Sequence, residues 1–453
     1  MRKTLFLTAI LLMTVTSAFA QKAVKYNQYG VEVKSDRLDV EAQDGILVLE
    51  SPRSHYKIWF DTRIQADFAG FFGAQDYADP IGYGSSIRRA RFAVKGQLDE
   101  NWYGEFDMDL ANGLVELKDA IVRYTGIPNL DLQVGNFKEN FSIQRNTTSR
   151  YLQFMERPMV CSALAPSRNL GINAKYAKDW LWASAGFFEQ VVAGAEEWTL
   201  TADNNKDFGR GAGYSATGKL VIRPLYKMKN ASLHIGGAVS YRTPKVTDDS
   251  YGTYRASARN STSINRKKYI DTDNLPGFNH NILSTVEIAG HWAGLRYEGA
   301  YIRDDVFFNA DAADPNPKHF DGWYAQAGYL LFGGHQRYDA NGGKYTRIAP
   351  GRSWGDIELC ARYEYCNLNN DGVFGGSAEA YTLGLNFWVT DNVKMQINYQ
   401  YNNNDRFANG KGKLFIGTDA NGAPVKDYTK AVEAPGKGGV DYHMVACRFE
   451  IDF

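Results

Sequence analysis

Hydrophobic and polar residues alternate strictly along the last eleven residues of the chain. One face of this stretch is apolar and ends in an aromatic residue, and its members are Val445, Cys447, Phe449, Ile451 and Phe453. The opposite face carries Ala446, Arg448, Glu450 and Asp452. A period of two indicates a β-strand, and in a transmembrane β-barrel the apolar face contacts lipid while the polar face lines the lumen. The pattern predicts such a strand, with an edge strand of a soluble sandwich as the alternative.

The same alternation recurs from about residue 55 onward. It predicts about sixteen strands, at 55–68, 89–98, 102–110, 115–125, 130–134, 169–176, 181–188, 214–223, 232–242, 281–292, 295–302, 323–331, 357–365, 381–389, 393–401 and 443–453. The strand at 115–125 alternates less regularly, which predicts a bulge. An even number of strands closes a barrel without a free edge, and about sixteen strands enclose an aqueous channel. The fold class predicted is therefore an all-β transmembrane antiparallel barrel.

Connections of two lengths separate the predicted strands. Short turns such as 177–179 and 390–392 alternate with long segments such as 243–273 and 402–441. Bacterial outer-membrane barrels have short periplasmic turns and long extracellular loops, so the asymmetry fits that class. The connection at 139–166 is also long, and it is rich in polar residues and arginines. A periplasmic sandwich or propeller would not need so many outward aromatic residues, and no blade-length repeat is visible.

The N-terminus has the pattern of a secretory signal peptide. Arg2 and Lys3 precede an apolar run, Leu5–Val15, that is too short to span a bilayer. Ala18-Phe19-Ala20 fits a cleavage site, so the mature chain is predicted to begin at Gln21, with an N-terminal membrane anchor as the alternative. The predicted organisation is a signal peptide at 1–20, a periplasmic lead-in at 21–54 and an outer-membrane barrel at 55–453.

Composition supports a barrel and excludes a partner attracted by overall charge. The 453 residues include 28 Tyr and 25 Phe, yet the mean hydropathy is −0.41, which suits a thin apolar band around a polar interior. The 51 basic and 51 acidic residues balance, and removal of Arg2 and Lys3 leaves a formal charge of −2. No nucleic acid is expected as a partner, and any ion selectivity must come from local placement of charge.

Four cations share lumenal parity on adjacent predicted strands: Arg63, Arg89, Arg91 and Lys95. Clustered like charges repel, so a protein selected only for its fold would disperse them. A charge-assisted bond to a phosphate oxygen contributes roughly 1.5–3 kcal/mol, so two or three would offset lost hydration without trapping the ion. Carboxylates such as Glu105 favour the alternative of a general porin. In such a porin, acidic side chains face the basic wall and the two create an electric field across the channel.

Several motifs resemble the phosphate-selective porin O and P family. They lie at 87–92, 94–96, 116–120, 134–142, 154–157 and 167–171, and the segments 354–365, 383–398 and 449–453 are also similar. The resemblance implies a sixteen-stranded trimer in which loops fold into each channel. It also implies a constriction of Arg, Lys and Ser, with one acidic residue, that holds an anion.

Carried over residue by residue, the resemblance points to Arg63, Arg88, Arg89, Lys138, Ser142 and Arg150, with Asp109 as the acidic member. Asn140 stands where the family often has Pro, which makes the loop entry less rigid. The complete predicted anion site is Arg63, Arg88, Arg89, Arg91, Lys95, Asp109, Lys138, Ser142 and Arg150. Lys219, Arg223 and Arg242 also have lumenal parity.

Other functional classes find less support in the sequence. His234 and His291 have lumenal parity, but neither has a spacing signature with a serine or a carboxylate, so no enzyme, catalytic residue, metal site or cofactor is predicted. A plugged transporter would need about 22 strands. The predicted function is an outer-membrane porin for small anions, phosphate or polyphosphate, whose partners are those anions, outer-membrane lipid and two further copies of the chain. General diffusion is the main alternative, and a structural or adhesive barrel is a third.

Overall fold

The computed structural model describes residues 25–33, 38–43, 46–51, 55–73, 81–113, 115–189, 213–244, 252–404, 417–425, 430 and 441–453. The predicted signal peptide at 1–20 and the cleavage point before Gln21 lie outside the described residues. Within the described ranges, no helix has the length and apolar character needed to cross a lipid bilayer.

Sixteen antiparallel strands form a closed barrel, which confirms the predicted fold class. In chain order they are β1 (Tyr56–Phe72), β2 (Gly84–Gln97), β3 (Trp102–Asp109), β4 (Glu116–Ile127), β5 (Leu130–Lys138), β6 (Arg168–Lys178), β7 (Leu181–Glu189), β8 (Tyr214–Ile222), β9 (Ala231–Arg242), β10 (Phe278–Trp292), β11 (Leu295–Phe308), β12 (Lys318–Leu330), β13 (Asp356–Asn370), β14 (Val373–Trp388), β15 (Val393–Asn404) and β16 (Tyr442–Asp452). Each overlaps one of the strands predicted from the alternation.

The barrel closes where β16 pairs with β1, with Asp452 opposite Arg63 and His443 opposite Phe72. The carbonyl oxygen of Phe453 accepts hydrogen bonds from the backbone N–H and the hydroxyl of Thr62, each at 2.7 Å. Below this seam, a hairpin of Asp39–Gln43 and Ile46–Ser51 adds to the start of β1. Part of the predicted lead-in therefore extends the sheet beyond the barrel.

The two faces of the wall follow the predicted alternation. On β16, Phe449 and Ile451 are exposed toward the lipid side, whereas Arg448 is fully buried on the lumenal side. The predicted irregularity in β4 is also confirmed. Asp107 pairs with Asp119 but Met108 pairs with Leu117, so one residue of β4 bulges between them.

Short helices and strand pairs lie in the connections. They are α1 (Ile143–Asn146), α2 (Met159–Ala163), the 3-10 turns Ala111–Gly113 and Ser149–Tyr151, and the pairs Lys25–Tyr26 with Glu32–Val33, Ser257–Ala258 with Ile270–Asp271, Tyr338–Asp339 with Lys344–Tyr345, and Gly417–Thr418 with Pro424–Val425.

One connection departs from the predicted asymmetry of the rims. The segment 331–355 joins β12 to β13 on the rim that otherwise carries short turns, and we call it the inner turn. It folds back into the bore, where the Tyr345 hydroxyl donates to the carbonyl oxygens of Gly290 and Tyr297 at 2.7 and 2.8 Å. Because the segment contains only one short strand pair among its described residues, its sequence shows no strand-like alternation that would predict it.

Candidate functional site

The connection between β5 and β6, residues 139–167, crosses the inside of the barrel, and we call it the inner loop. Its backbone N–H at Ile143 donates to Glu287 on β10 at 2.8 Å, and its N–H at Met159 donates to Glu364 on β13 at 2.5 Å. On the other side of the barrel its Arg150 pairs with Asp61 on β1. Because these strands face one another across the bore, the inner loop divides the lumen.

A cluster of arginines fixes the inner loop near the seam of the barrel. The Glu156 carboxylate accepts from Arg88 at 2.6 and 3.1 Å and from Arg448 at 3.0 Å, and Arg89 lies 3.9 Å away. Arg448 also makes two 2.7 Å bonds with Asp67. Burial alone would raise the pKa of Glu156, but the three guanidinium groups hold that pKa well below its usual value. We call this set the loop latch.

A cavity, which we call the gap, remains between the inner loop and the wall formed by β1 to β6. The cavity measures about 410 Å³, and residues 339–344 of the inner turn form part of its boundary. Nine cationic side chains line it: Arg63, Arg91, Lys95, Arg123, Lys138, Arg150, Arg168, Lys175 and Lys344. Six acidic side chains line it as well: Asp61, Glu105, Asp107, Asp119, Asp131 and Asp339. Among the side chains that line the gap, the cations therefore outnumber the acidic groups by three.

Most cations of the gap have an acidic partner on the wall or inner loop. The pairs include Lys95 with Asp61 at 2.6 Å, Arg91 with Asp107 at 3.4 Å, Arg168 with Asp119 at 2.6 Å and Lys175 with Asp131 at 2.6 Å. Opposite charges at such distances cancel much of each other's field, so these cations attract a passing anion less strongly than isolated ones would. The pairs also fix the side chains in place.

Two lysines of the gap differ from the rest. Within the described part of the chain, the ammonium groups of Lys138 and Lys344 form neither a hydrogen bond nor an ion pair. Lys138 ends β5 on the wall, and Lys344 comes from the inner turn. Burial lowers the pKa of Lys344, while Asp339 opposes that shift. An anion in the gap would supply the compensating charge that both ammonium groups lack.

Five of the nine predicted site residues line the gap, namely Arg63, Arg91, Lys95, Lys138 and Arg150. Arg88 and Arg89 lie in the loop latch instead. Asp109 pairs with Arg91 at 3.3 Å and accepts from the backbone N–H of Ala90 and Ala111. Ser142 is fully buried, with its hydroxyl 3.9 Å from the sulfur of Cys161.

Four lining cations were not predicted as site residues. Arg123, Arg168 and Lys175 lie on β4 and β6, where strand parity together with the barrel register would have identified the inward side chains. Lys344 gave no signal, because it lies in a connection without alternation. Strand periodicity could therefore have identified the three wall residues, but it could not have identified Lys344 in the inner turn.

The described part of the bore also holds a cluster of three carboxylates and a serine–histidine pair. The carboxylates of Glu105, Asp107 and Asp119 converge within 4.8 Å, but Lys95, Arg91 and Arg168 already balance them, so they act as counter-charges. The remaining cluster is a pair: the Ser232 hydroxyl lies 2.6 Å from Nδ1 of His291. In the described residues no carboxylate reaches that imidazole, so the pair lacks the third group of a hydrolytic triad.

The chain is similar in sequence and in structure to known proteins. A sequence model of the family described as phosphate-selective porin O and P matches residues 59–420. Porin O of Pseudomonas aeruginosa is 24% identical over 435 residues, which cover 88% of this chain and 94% of that protein. An uncharacterised protein of Caulobacter vibrioides is 28% identical over 348 residues, which cover 74% of this chain and 66% of that protein. OmpT of Vibrio cholerae superposes with a TM-score of 0.49 at 11% identity, covering 87% of this chain and 98% of that one.

The family match runs from the first barrel strand to beyond β15 and confirms the resemblance seen in the motifs. With its closed sixteen-stranded wall and divided lumen, the chain belongs to the phosphate-selective porin O and P family of the bacterial outer membrane.

Proposed function

We propose that this porin conducts small anions, phosphate among them, through the gap between the inner loop and the wall. The observation that carries the proposal is the charge of that gap. Its lining holds nine cations against six acidic side chains, and the ammonium groups of Lys138 and Lys344 form no ion pair among the described residues. The porin family and the channel fold favour transport over catalysis.

The energetics suit transient binding. An anion about 4 Å from an ammonium group gains about 1 kcal/mol where the surroundings resemble bulk water and about 4 kcal/mol at an effective dielectric of 20. Contacts with Lys138 and Lys344 together would offset part of the lost hydration. Because the other cations are largely paired, the ion meets a limited number of strong sites and can leave again, which conduction requires.

The wall pairs give the gap a second property. Acidic and basic side chains alternate around it, so the net attraction for anions comes from a small excess of positive charge. Divalent phosphate responds to that excess more strongly than chloride does, since its interaction energy scales with its charge. We propose preference for multivalent oxyanions on this basis.

Two further parts of the proposal come from the sequence and the family. The leader pattern at 1–20 supports export through a signal peptide that is removed before Gln21. The family resemblance supports assembly as a homotrimer in outer-membrane lipid. Chemical cross-linking of purified protein and N-terminal sequencing of the mature chain test these two points directly.

Planar-bilayer recording tests the central claim. In a KCl gradient the reversal potential should show that chloride permeates more readily than potassium, and millimolar phosphate should reduce the chloride current. The six acidic side chains of the gap favour one competitor, a weakly selective diffusion porin. A cation-selective current that phosphate leaves unchanged would replace the anion proposal with that one.

A further inference from the structure

A second cavity opens at the rim that carries the short turns. It measures about 580 Å³ and lies between the turn 223–230 and the inner turn. Its lining shares only Asn341 with the lining of the conducting gap. The inner turn therefore separates two cavities, one along the permeation path and one facing the periplasmic side of the barrel.

This second cavity is strongly cationic. Arg223, Lys229 and Arg337 line it, and Asp179 is the one acidic residue in its lining. His291 adds an imidazole whose Nδ1 is bonded to Ser232. Across the described ranges, no carboxylate forms an ion pair with any of the three cations. Among the described residues, the single carboxylate of the lining therefore balances the positive charge of the cavity only in part.

Arg223 is the central residue of the cavity. Only 5% of its surface is exposed. One guanidinium Nη donates to the carbonyl oxygen of Ala340, and the other donates to the carbonyl oxygen of Leu181 at 3.0 Å. Its buried Nε has no hydrogen-bond partner. A buried charge with an unsatisfied donor is unfavourable, and an anion in the cavity would compensate the charge of the guanidinium group.

We propose that this cavity is a second anion site, which binds a small oxyanion from the periplasmic side. Arg223 supplies an immobilised guanidinium at the base of the site. Lys229 and Arg337 are exposed and close on the ligand from the turn and from the inner turn. Two planar guanidinium groups and an ammonium group can donate hydrogen bonds to the oxygens of a phosphate-like anion. The cavity is large enough for such an anion together with the water molecules that it keeps.

Binding here affects the inner turn, because Arg337 and Asn341 belong to that segment and Arg223 holds its Ala340 carbonyl. An anion bound at this site would stabilise the position of the inner turn, whose other side bounds the conducting gap. The site does not depend on the gap being anion-selective. The two ideas can therefore fail separately.

Calorimetric titration of the intact, detergent-solubilised protein with inorganic phosphate tests the site. The double variant Arg337→Gln/Lys229→Gln removes two exposed cations and leaves Arg223 and its hydrogen bonds in place. The matched control is Lys227→Gln, since Lys227 lies in the same turn but stacks over the Tyr226 ring, 5.5 Å from its centroid, outside the cavity lining. We expect the double variant to lose at least about tenfold in affinity for a phosphate site that Lys227→Gln retains.

Bilayer recording separates this site from the gap. The double variant should keep the chloride-over-potassium preference of the parent protein, because neither residue lines the gap. Equal phosphate affinity in the double variant and the parent would overturn the proposal, as would saturable phosphate binding that only Lys138→Gln abolishes. A non-selective channel that still loses phosphate binding in the double variant would refute the proposed function and leave this site standing.

Discussion

Replacing Lys138 by glutamine tests the charge argument most directly. The substitution keeps a side chain of similar length on β5 but removes one of the nine cations around the gap. The excess of three positive charges falls to two, and Lys138→Glu lowers it to one. Because Lys138 has no partner among the described residues, its removal leaves no carboxylate newly unpaired, so the change in field is not masked by rearranged ion pairs.

The size of the effect follows from the distance between charges. A permeating anion that passes about 4 Å from the ammonium group interacts with it by about 1 kcal/mol at the dielectric of water and by about 4 kcal/mol at an effective value of 20. The gap is wet but bounded by protein, so we take about 1–2 kcal/mol. This corresponds to roughly a tenfold fall in the ratio of anion to cation permeability, since 1.4 kcal/mol is one factor of ten.

Reversal potentials in KCl gradients measure that ratio. The Debye length is about 10 Å at 0.1 M salt and about 3 Å at 1 M, so the difference between variant and parent should shrink at the higher concentration. Lys178→Gln is the matched control, because Lys178 is exposed at the end of β6 and its loss changes the net charge equally outside the gap. Equal reversal potentials for Lys138→Gln and the parent at 0.1 M would refute the reasoning.

Three other predictions follow from the latch and the wall. Glu156→Gln leaves buried arginines short of a partner at a cost of about 3–5 kcal/mol, so the inner loop should become protease-sensitive and the conductance should rise; unchanged cleavage and conductance would contradict this. Because the folded pKa of Glu156 is depressed, the latch is present above the unfolded pKa and is lost only as pH falls through the folded one. The inner loop should therefore stay resistant to protease from about pH 7 to pH 5, and cleavage of the inner loop that appears only at the lower pH would contradict the depressed pKa of Glu156. Gly135→Ala should prevent folding, seen as loss of the heat-modifiable band on gels, since Gly135 has φ of +130° and an added Cβ would overlap the Ala120 carbonyl oxygen. Gly218→Ala, where nothing lies within 4 Å, should fold normally.

The wall of this barrel could be predicted from the sequence because its rule is local. Each strand has one lipid face and one lumenal face, so Phe449 and Arg448 are assigned to opposite sides by position alone. The same rule placed Arg63, Arg91 and Lys95 inside, and the structure puts all three around the gap. The family motifs at 87–92 and 134–142 lie in this regular part and its immediate continuation.

Which of the inward cations remain available to an ion was decided by tertiary contacts. Arg88 and Arg89 are cations of the kind that bind anions, but the Glu156 carboxylate of the inner loop already pairs with both of them. That carboxylate is about seventy residues away in sequence, so no local pattern predicts the contact. Lys344 reaches the gap only because the inner turn folds back from the opposite rim.

The sequence alone therefore determined the strands, their two faces and the closed barrel, because lipid and water impose a period of two on every spanning segment. The tertiary structure decided the path through the barrel. Segments without periodicity enter the lumen, and the cations that they leave unpaired, Lys138 on the wall and Lys344 on the inner turn, are fixed by long-range packing and charge pairing.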